Sequence, residues 1–174
     1  MTRRQLLGSL GGIFLAGLSV NKAEGAQVPS DLHSEINRAV KHHYHLLRKK
    51  GLAARVGLSL DEWVAVTHAI VRHESAYRPD AVNLIPAKEV ESIGLMQINF
   101  GFWRKTRLLE GVSKELLFDP YWNVRIGLVI LTENLLRYRS LDKALYRYVG
   151  GADSRYVVNV LQTAFLLKGG RNFA

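Results

Sequence analysis

Ser59-Leu60-Asp61-Glu62-Trp63-Val64-Ala65-Val66-Thr67-His68-Ala69-Ile70-Val71-Arg72-His73-Glu74-Ser75 is the stretch that decides how this chain folds. Ser59 and Glu62 stand at capping-box spacing, a serine at the helix entrance with a glutamate three residues later. The apolar run Trp63 to Val71 follows, and Pro79 lies just past the expected end, where a helix is commonly closed off. The pattern predicts a helix that carries Glu74 in its last turn. Val66 and Ile70 precede Glu74 by eight and four residues, so at helical spacing they share its face. A carboxyl group that continues an apolar stripe is poorly solvated. It also sits near a helix C-terminus, and both conditions favour its neutral form. A carboxylic acid that keeps its proton near neutral pH can act as a general acid.

Working outward from this helix, the signals are helical. Leu32, Ile36, Ala39, Val40, Tyr44 and Leu47 space as one face of a first helix that ends near Gly51. Residues 80 to 93, with Asn83 and Pro86, read as loop. Gly94-Leu95-Met96-Gln97 leads into a short helix with Phe100, Phe102 and Trp103. Asp119-Pro120 is an N-cap followed by proline at the first helical position. It opens a helix through Ile126, Leu128, Ile130, Leu131 and Leu135. Ser140 to Tyr148 forms another helix, stopped by Gly150-Gly151. Ser154 to Leu167 forms the last, stopped by Gly169-Gly170. No run of strand signals, repeat or low-complexity linker is visible. The expectation is a mostly α fold in one domain, residues 27–174, with a length of 174 residues that suits a single core.

The first 26 residues read as an export signal. Thr2-Arg3-Arg4-Gln5-Leu6-Leu7 opens with two positive charges, Leu6 to Val20 is an apolar, glycine-rich run, and small residues near Gly25 and Ala26 offer a cleavage point. The arginine pair resembles a twin-arginine signal, though the general secretion route accepts the segment as well. A retained anchor is the alternative. Both place the domain outside the cytoplasm, in the periplasm. The chain has no cysteine, which excludes disulfides, thiol catalysis, thiolate metal sites and a lipoprotein anchor. Arg3, Arg4 and Lys22 against Glu24 account for +2 of the formal +9 charge, leaving +7 on the remainder. Such a charge attracts polyanions. The basic residues are scattered without a recognition motif, so nucleic acid is not the expected partner. Export points to an anionic cell-wall polymer.

Glu74-Ser75-Ala76-Tyr77-Arg78-Pro79-Asp80-Ala81 followed by Gly94-Leu95-Met96-Gln97 resembles the signature of the lytic transglycosylases with a goose-type lysozyme-like domain. Ala144-Leu145-Tyr146-Arg147-Tyr148-Val149-Gly150-Gly151 is similar to that family's third segment, with Val149 where an asparagine is usual. The resemblance spans roughly Trp63 to Leu161. It implies a lysozyme-like domain that cleaves the MurNAc–GlcNAc β-1,4 bond of peptidoglycan glycan strands and leaves a 1,6-anhydro sugar. Glu74 is then the single acid and base, with no cofactor and no metal.

The other candidate residues carry two readings each. Ser75 is placed to hydrogen-bond the carboxylate or the sugar, or to cap the helix end locally. Gly94 is a backbone position that a sugar can approach closely. Met96 packs under a cleft or fills the core. Gln97, and Asn99 in the same segment, suit sugar hydroxyls and amides; a solvated helix residue is the plainer account of Gln97. Tyr148, by resemblance, points its hydroxyl at Glu74 or the sugar, and core packing is its alternative. Ordinary glycosidases need two carboxylates. Asp80, Glu89 and Glu91 are near in sequence but lack an apolar context. His42, His43 and His45 invite a metal reading, yet Lys41 to Lys50 is otherwise cationic and no carboxylate lies close, so the segment reads as a solvated basic face. Trp63 and Trp122 read as core anchors, and Trp103 as a residue lining the cleft. A hydrolytic lysozyme, and a non-catalytic wall-binding factor of a secretion or conjugation machine, are the competing functions. No integral membrane domain is expected.

Overall fold

A computed structural model describes residues 29–85, 90–151 and 153–173. The proposed export signal, residues 1–26, lies outside them, as do Pro86 and Glu89. The described chain is mostly helical. Its elements run α1 (Ser30–Lys49), α2 (Ala53–Val56), α3 (Leu60–Ser75), β1 (Val82–Ile85), β2 (Val90–Ile93), β3 (Ile98–Asn99), α4 (Phe100–Trp103), a 3₁₀ turn (Glu115–Phe118), α5 (Pro120–Tyr138), α6 (Leu141–Tyr148) and α7 (Ser154–Leu167). No described helix is long and apolar enough to cross a membrane.

The hub is α3. Trp63, Val66, Thr67, Ala69, Ile70 and Val71 have no solvent exposure. A helix apolar on nearly every side has to lie inside the molecule. Here α1 and α7 pack against it, while α1 and α6 pack on α5. Fully burying a side chain such as Ile70 or Leu131 contributes about 1.5–3 kcal/mol each. The start of α3 is fixed by the capping box. The Glu62 N–H donates to Ser59 Oγ at 3.3 Å, and the Ser59 N–H donates to Glu62 Oε2 at 2.8 Å. Glu62 Oε1 also receives Lys168 Nζ at 2.8 Å, a buried ion pair that ties the end of α7 to the start of α3. Asp119 caps α5 by accepting from the Trp122 N–H at 2.9 Å, with Pro120 at the first helical position.

Four features depart from the sequence expectation. Residues 80–93 are not loop throughout. β1 and β2 form an antiparallel hairpin in the register Val82↔Ile93, Asn83↔Ser92, Leu84↔Glu91, and β3 extends the sheet with Ile93↔Ile98. Val82, Asn83 and Leu84 are all exposed, so these residues of β1 show no alternation of buried and exposed positions. The short α2 and the 3₁₀ turn likewise carry no periodic signal. His43 is buried rather than part of a solvated basic face. It follows Val40 by three residues and precedes Leu47 by four, which places it on the buried face of α1. Its Nε2 lies 2.8 Å from Thr132 Oγ1, and its ring meets Trp63 edge-on. Trp122 is no core anchor but 45% exposed, because it lies two residues before the buried Val124 and so on the far side of α5. Trp63, by contrast, is fully buried.

Candidate active site

The helix that carries Glu74 ends abruptly. Ala76 and Tyr77 adopt left-handed conformations with φ of 50° and 61°. Such values cost non-glycine residues of order 1–3 kcal/mol each and survive only where the surroundings enforce them. The Ala76 N–H still donates to Arg72 O at 3.1 Å, and the Arg78 N–H returns to Ser75 O at 3.1 Å. Pro79 follows. The chain then enters β1, so this turn sets how far the sheet stands from the end of α3.

Glu74 keeps a partly exposed surface although its carboxyl is enclosed by protein on most sides. Burial pushes its pKa up from 4.5 to about 7, and the Tyr156 hydroxyl pulls more weakly in the other direction. Tyr148 also lies close enough to interact with the carboxyl. Burial first, and the Glu74 charge second, hold both phenols well above their usual range, so both remain protonated donors. Tyr156 Oη is buried and reaches no acceptor in ordinary hydrogen-bond geometry, so its influence on Glu74 is a near contact rather than a full bond.

The second wall is the turn Gly94–Gln97. Gly94 has φ 77°, and a Cβ there would stand 2.2 Å from Asn123 Nδ2 and 2.4 Å from Leu117 O. Glycine is required because α5 and the preceding turn press against it. Asn123 is buried and binds three backbone groups. Its Oδ1 accepts from the Met96 N–H at 2.8 Å, and its Nδ2 donates to Ile93 O at 2.9 Å and to Leu117 O at 2.7 Å. The Met96 side chain is fully buried against Gly127, where an added Cβ would meet Sδ at 2.4 Å. Gln97 is left-handed at φ 46°, and its Nε2 donates to Gly94 O at 3.0 Å and Ala81 O at 3.2 Å. Asn99 caps α4, its Oδ1 accepting from the Phe102 N–H at 2.9 Å.

The sequence candidates therefore separate into partly exposed and buried residues. Glu74, Gln97 and Asn99 are partly exposed. Ser75, Gly94 and Met96 are buried; the Ser75 hydroxyl donates to Val71 O at 3.1 Å. Tyr148 donates to Met96 O at 2.8 Å and thereby joins α6 to the turn. Trp103 is partly exposed and meets Phe102 edge-on. Of the other acids, Glu91 pairs with Lys114 at 2.6 Å, Asp80 is exposed, and Glu89 lies outside the described residues. His42 and His43 turn to different partners, Tyr121 and Thr132. Among the described residues no group of three or more His, Cys, Asp or Glu is placed to hold a metal.

Sequence reasoning missed Tyr156 and Asn123. Tyr156 lies four residues before the buried Val160 and eight before Ala164, so a hydroxyl on the buried stripe of α7 was the available signal. Asn123 lies four residues before Gly127 and beside Val124, a polar group within an apolar face. A carboxyl with a pKa of about 7 and two neutral phenols close by can deliver a proton at neutral pH and take one back.

A family model for the transglycosylase SLT domain matches residues 60–159, from the first residue of α3 into α7. The matched span includes Glu74, Gly94–Asn99, Tyr148 and Tyr156. No curated protein and no solved structure matches the chain.

Proposed function

Because this chain belongs to the transglycosylase SLT domain family, we propose that it is a peptidoglycan lytic transglycosylase that cleaves the MurNAc–GlcNAc β-1,4 bond with Glu74 as its single acid and base. The observation that carries this reading is the enclosed Glu74 carboxyl, pushed up to about 7 by burial. Protonated Glu74 donates to the glycosidic oxygen as the bond to C1 breaks, and the GlcNAc hydroxyl leaves. The resulting carboxylate takes the proton of the muramic acid C6 hydroxyl, and O6 closes on C1. Glu74 ends protonated, the product is a 1,6-anhydro sugar, and no water is consumed. Glycosidases that use water place a second carboxylate across the bond.

With Gln97 Nε2 and Asn99 Oδ1 committed to backbone groups, it is Gln97 Oε1 and Asn99 Nδ2 that this reading offers to the sugar, while Ser75, Gly94, Met96 and Tyr148 shape the site from beneath. On this reading the domain acts in the periplasm after export directed by residues 1–26. A wall-spanning secretion or conjugation complex is the partner that a small catalytic domain suits by analogy. Mass spectrometry of peptidoglycan digested with the purified protein tests the chemistry. Muropeptides ending in 1,6-anhydroMurNAc are expected. Reducing-end products as the dominant species would replace this reading with a water-using muramidase.

A further inference from the structure

Tyr77 is the second of the two left-handed residues after α3, and its side chain folds back along the helix it has just left. The Tyr77 hydroxyl lies 3.2 Å from His68 Nδ1 and 3.3 Å from His68 O, nine residues earlier. On the other side of the same ring, His68 Nε2 lies 3.1 Å from Asn37 Oδ1, on α1. The protons can be assigned from the acceptor. Asn37 Oδ1 can only accept, so Nε2 carries the hydrogen; in a neutral imidazole Nδ1 is then an acceptor, and the single Tyr77 hydroxyl hydrogen is shared between Nδ1 and His68 O. His68 is 5% exposed, and burial, helped by nearby His33, holds its pKa down to about 4, so the neutral ring this wiring needs is the form present. The His33 ring stacks on His68 with centroids 4.6 Å apart and lies 5.8 Å from Tyr77.

We infer that Tyr77, His68 and Asn37 are positioning residues whose part-buried hydrogen-bonded chain locks the left-handed turn after Glu74 and so sets the distance between the Glu74 carboxyl and the Gly94–Gln97 turn. The turn has no glycine to make its conformation cheap, and something must hold it. What lies beyond it is the far wall itself: Ala81 O accepts from the Gly94 N–H at 2.8 Å and from Gln97 Nε2. If Ala76 and Tyr77 relaxed to right-handed values, the chain would leave α3 in another direction and carry the Ala81 contact away from its place. None of the three residues reaches the proposed reacting atoms; they act through Glu74. The inference rests on the reading of Glu74 as proton donor for its kinetic consequence, but not for its structural one.

Tyr77→Phe keeps the ring and deletes the hydroxyl. Carboxyl NMR of Glu74, amide hydrogen exchange at Ala76 and Arg78, and kcat and KM on peptidoglycan are measured on the full chain. Losing one net hydrogen bond should speed exchange at those two amides by roughly tenfold and shift the Glu74 titration from its wild-type midpoint. Misplacement of a reacting group costs up to about 10²-fold, so kcat should fall by roughly 10- to 100-fold with KM within about twofold. Asn37→Leu, which leaves the Nε2 hydrogen without that acceptor, should behave like Tyr77→Phe. Unchanged exchange together with an unchanged Glu74 titration in Tyr77→Phe overturns the inference. A wild-type protein inactive on peptidoglycan would instead remove the proposed reaction, and exchange and titration would still decide the role of the chain of residues.

Discussion

Tyr148 and Met96 meet through one hydrogen bond, the phenol donating to the main-chain carbonyl at 2.8 Å, and the same peptide segment is held on its other side by Asn123. The third sequence segment and the second are thus joined by a backbone contact rather than by two side chains.

Tyr148→Phe should leave the Met96 carbonyl without that donor in a buried setting. The expected loss is about 1–2 kcal/mol of stability, read as a lower urea midpoint with an unchanged slope. An unchanged midpoint would show that the carbonyl is satisfied otherwise.

Glu74→Gln should abolish activity while the fold persists. One positioned acid–base group is worth ~10²–10⁴ in rate, and a group serving as both acid and base should lie at the upper end. The stability sign is fixed by the raised pKa. Between pH 4.5 and about 7 the folded carboxyl holds a proton that the unfolded one releases, so wild-type stability falls as pH rises through that window. The accumulated penalty above pH 7 is on the order of 3 kcal/mol. Glu74→Gln should therefore be at least as stable as wild type at pH 8 and lack this slope. Retention of more than about a tenth of wild-type activity would make Glu74 structural.

Gly94→Ala should be poorly tolerated. Its φ of 77° disfavours any side chain, and the new methyl would fall 2.2 Å from Asn123 Nδ2. A loss of about 3 kcal/mol or more is expected, since overpacking and left-handed strain add. Near wild-type melting would mean that α5 can yield at Asn123.

His43 and His68 should govern acid unfolding. Burial holds both at about 4, below the 6.5 of a free ring. As pH falls from about 6.5 to 4 the unfolded chain takes up protons that the fold refuses, and stability is lost. Each ring contributes on the order of 3 kcal/mol to that loss. Glu74 works in the opposite sense over part of the window, but two groups outweigh one. Melting temperature should peak near pH 6.5–7 and drop toward pH 4.5. His43→Gln should flatten the drop by about one proton; an unaltered slope would remove His43 from the account.

The helices were legible because their ends are written locally. Ser59 with Glu62, Asp119 with Pro120, and the glycine pairs after Tyr148 and Leu167 need no tertiary context. Glu74 was legible because its apolar stripe and its helix end both bear on one carboxyl. The hairpin was not, since Val82 and Leu84 face solvent and leave no alternation to read. Asn123 and Tyr156 were hidden for a different reason: each acts on a segment far away in sequence, through contacts that exist only after packing. His43 was readable on spacing alone, but its cationic neighbours drew attention to charge instead of position.

Ala76 adopts a left-handed conformation without being glycine, and that fact sets heat resistance against turnover in this protein. Ala76→Gly would relieve about 1 kcal/mol of local strain, so a directed-evolution campaign scored on melting temperature alone would tend to accept it. The same change widens the backbone choices of the link between Glu74 and the Gly94–Gln97 turn. A campaign scored on muropeptide release would reject it, and libraries aimed at a hardier wall-cutting reagent are better directed at the exposed face of α7, where Val158 and Leu166 lie open to solvent.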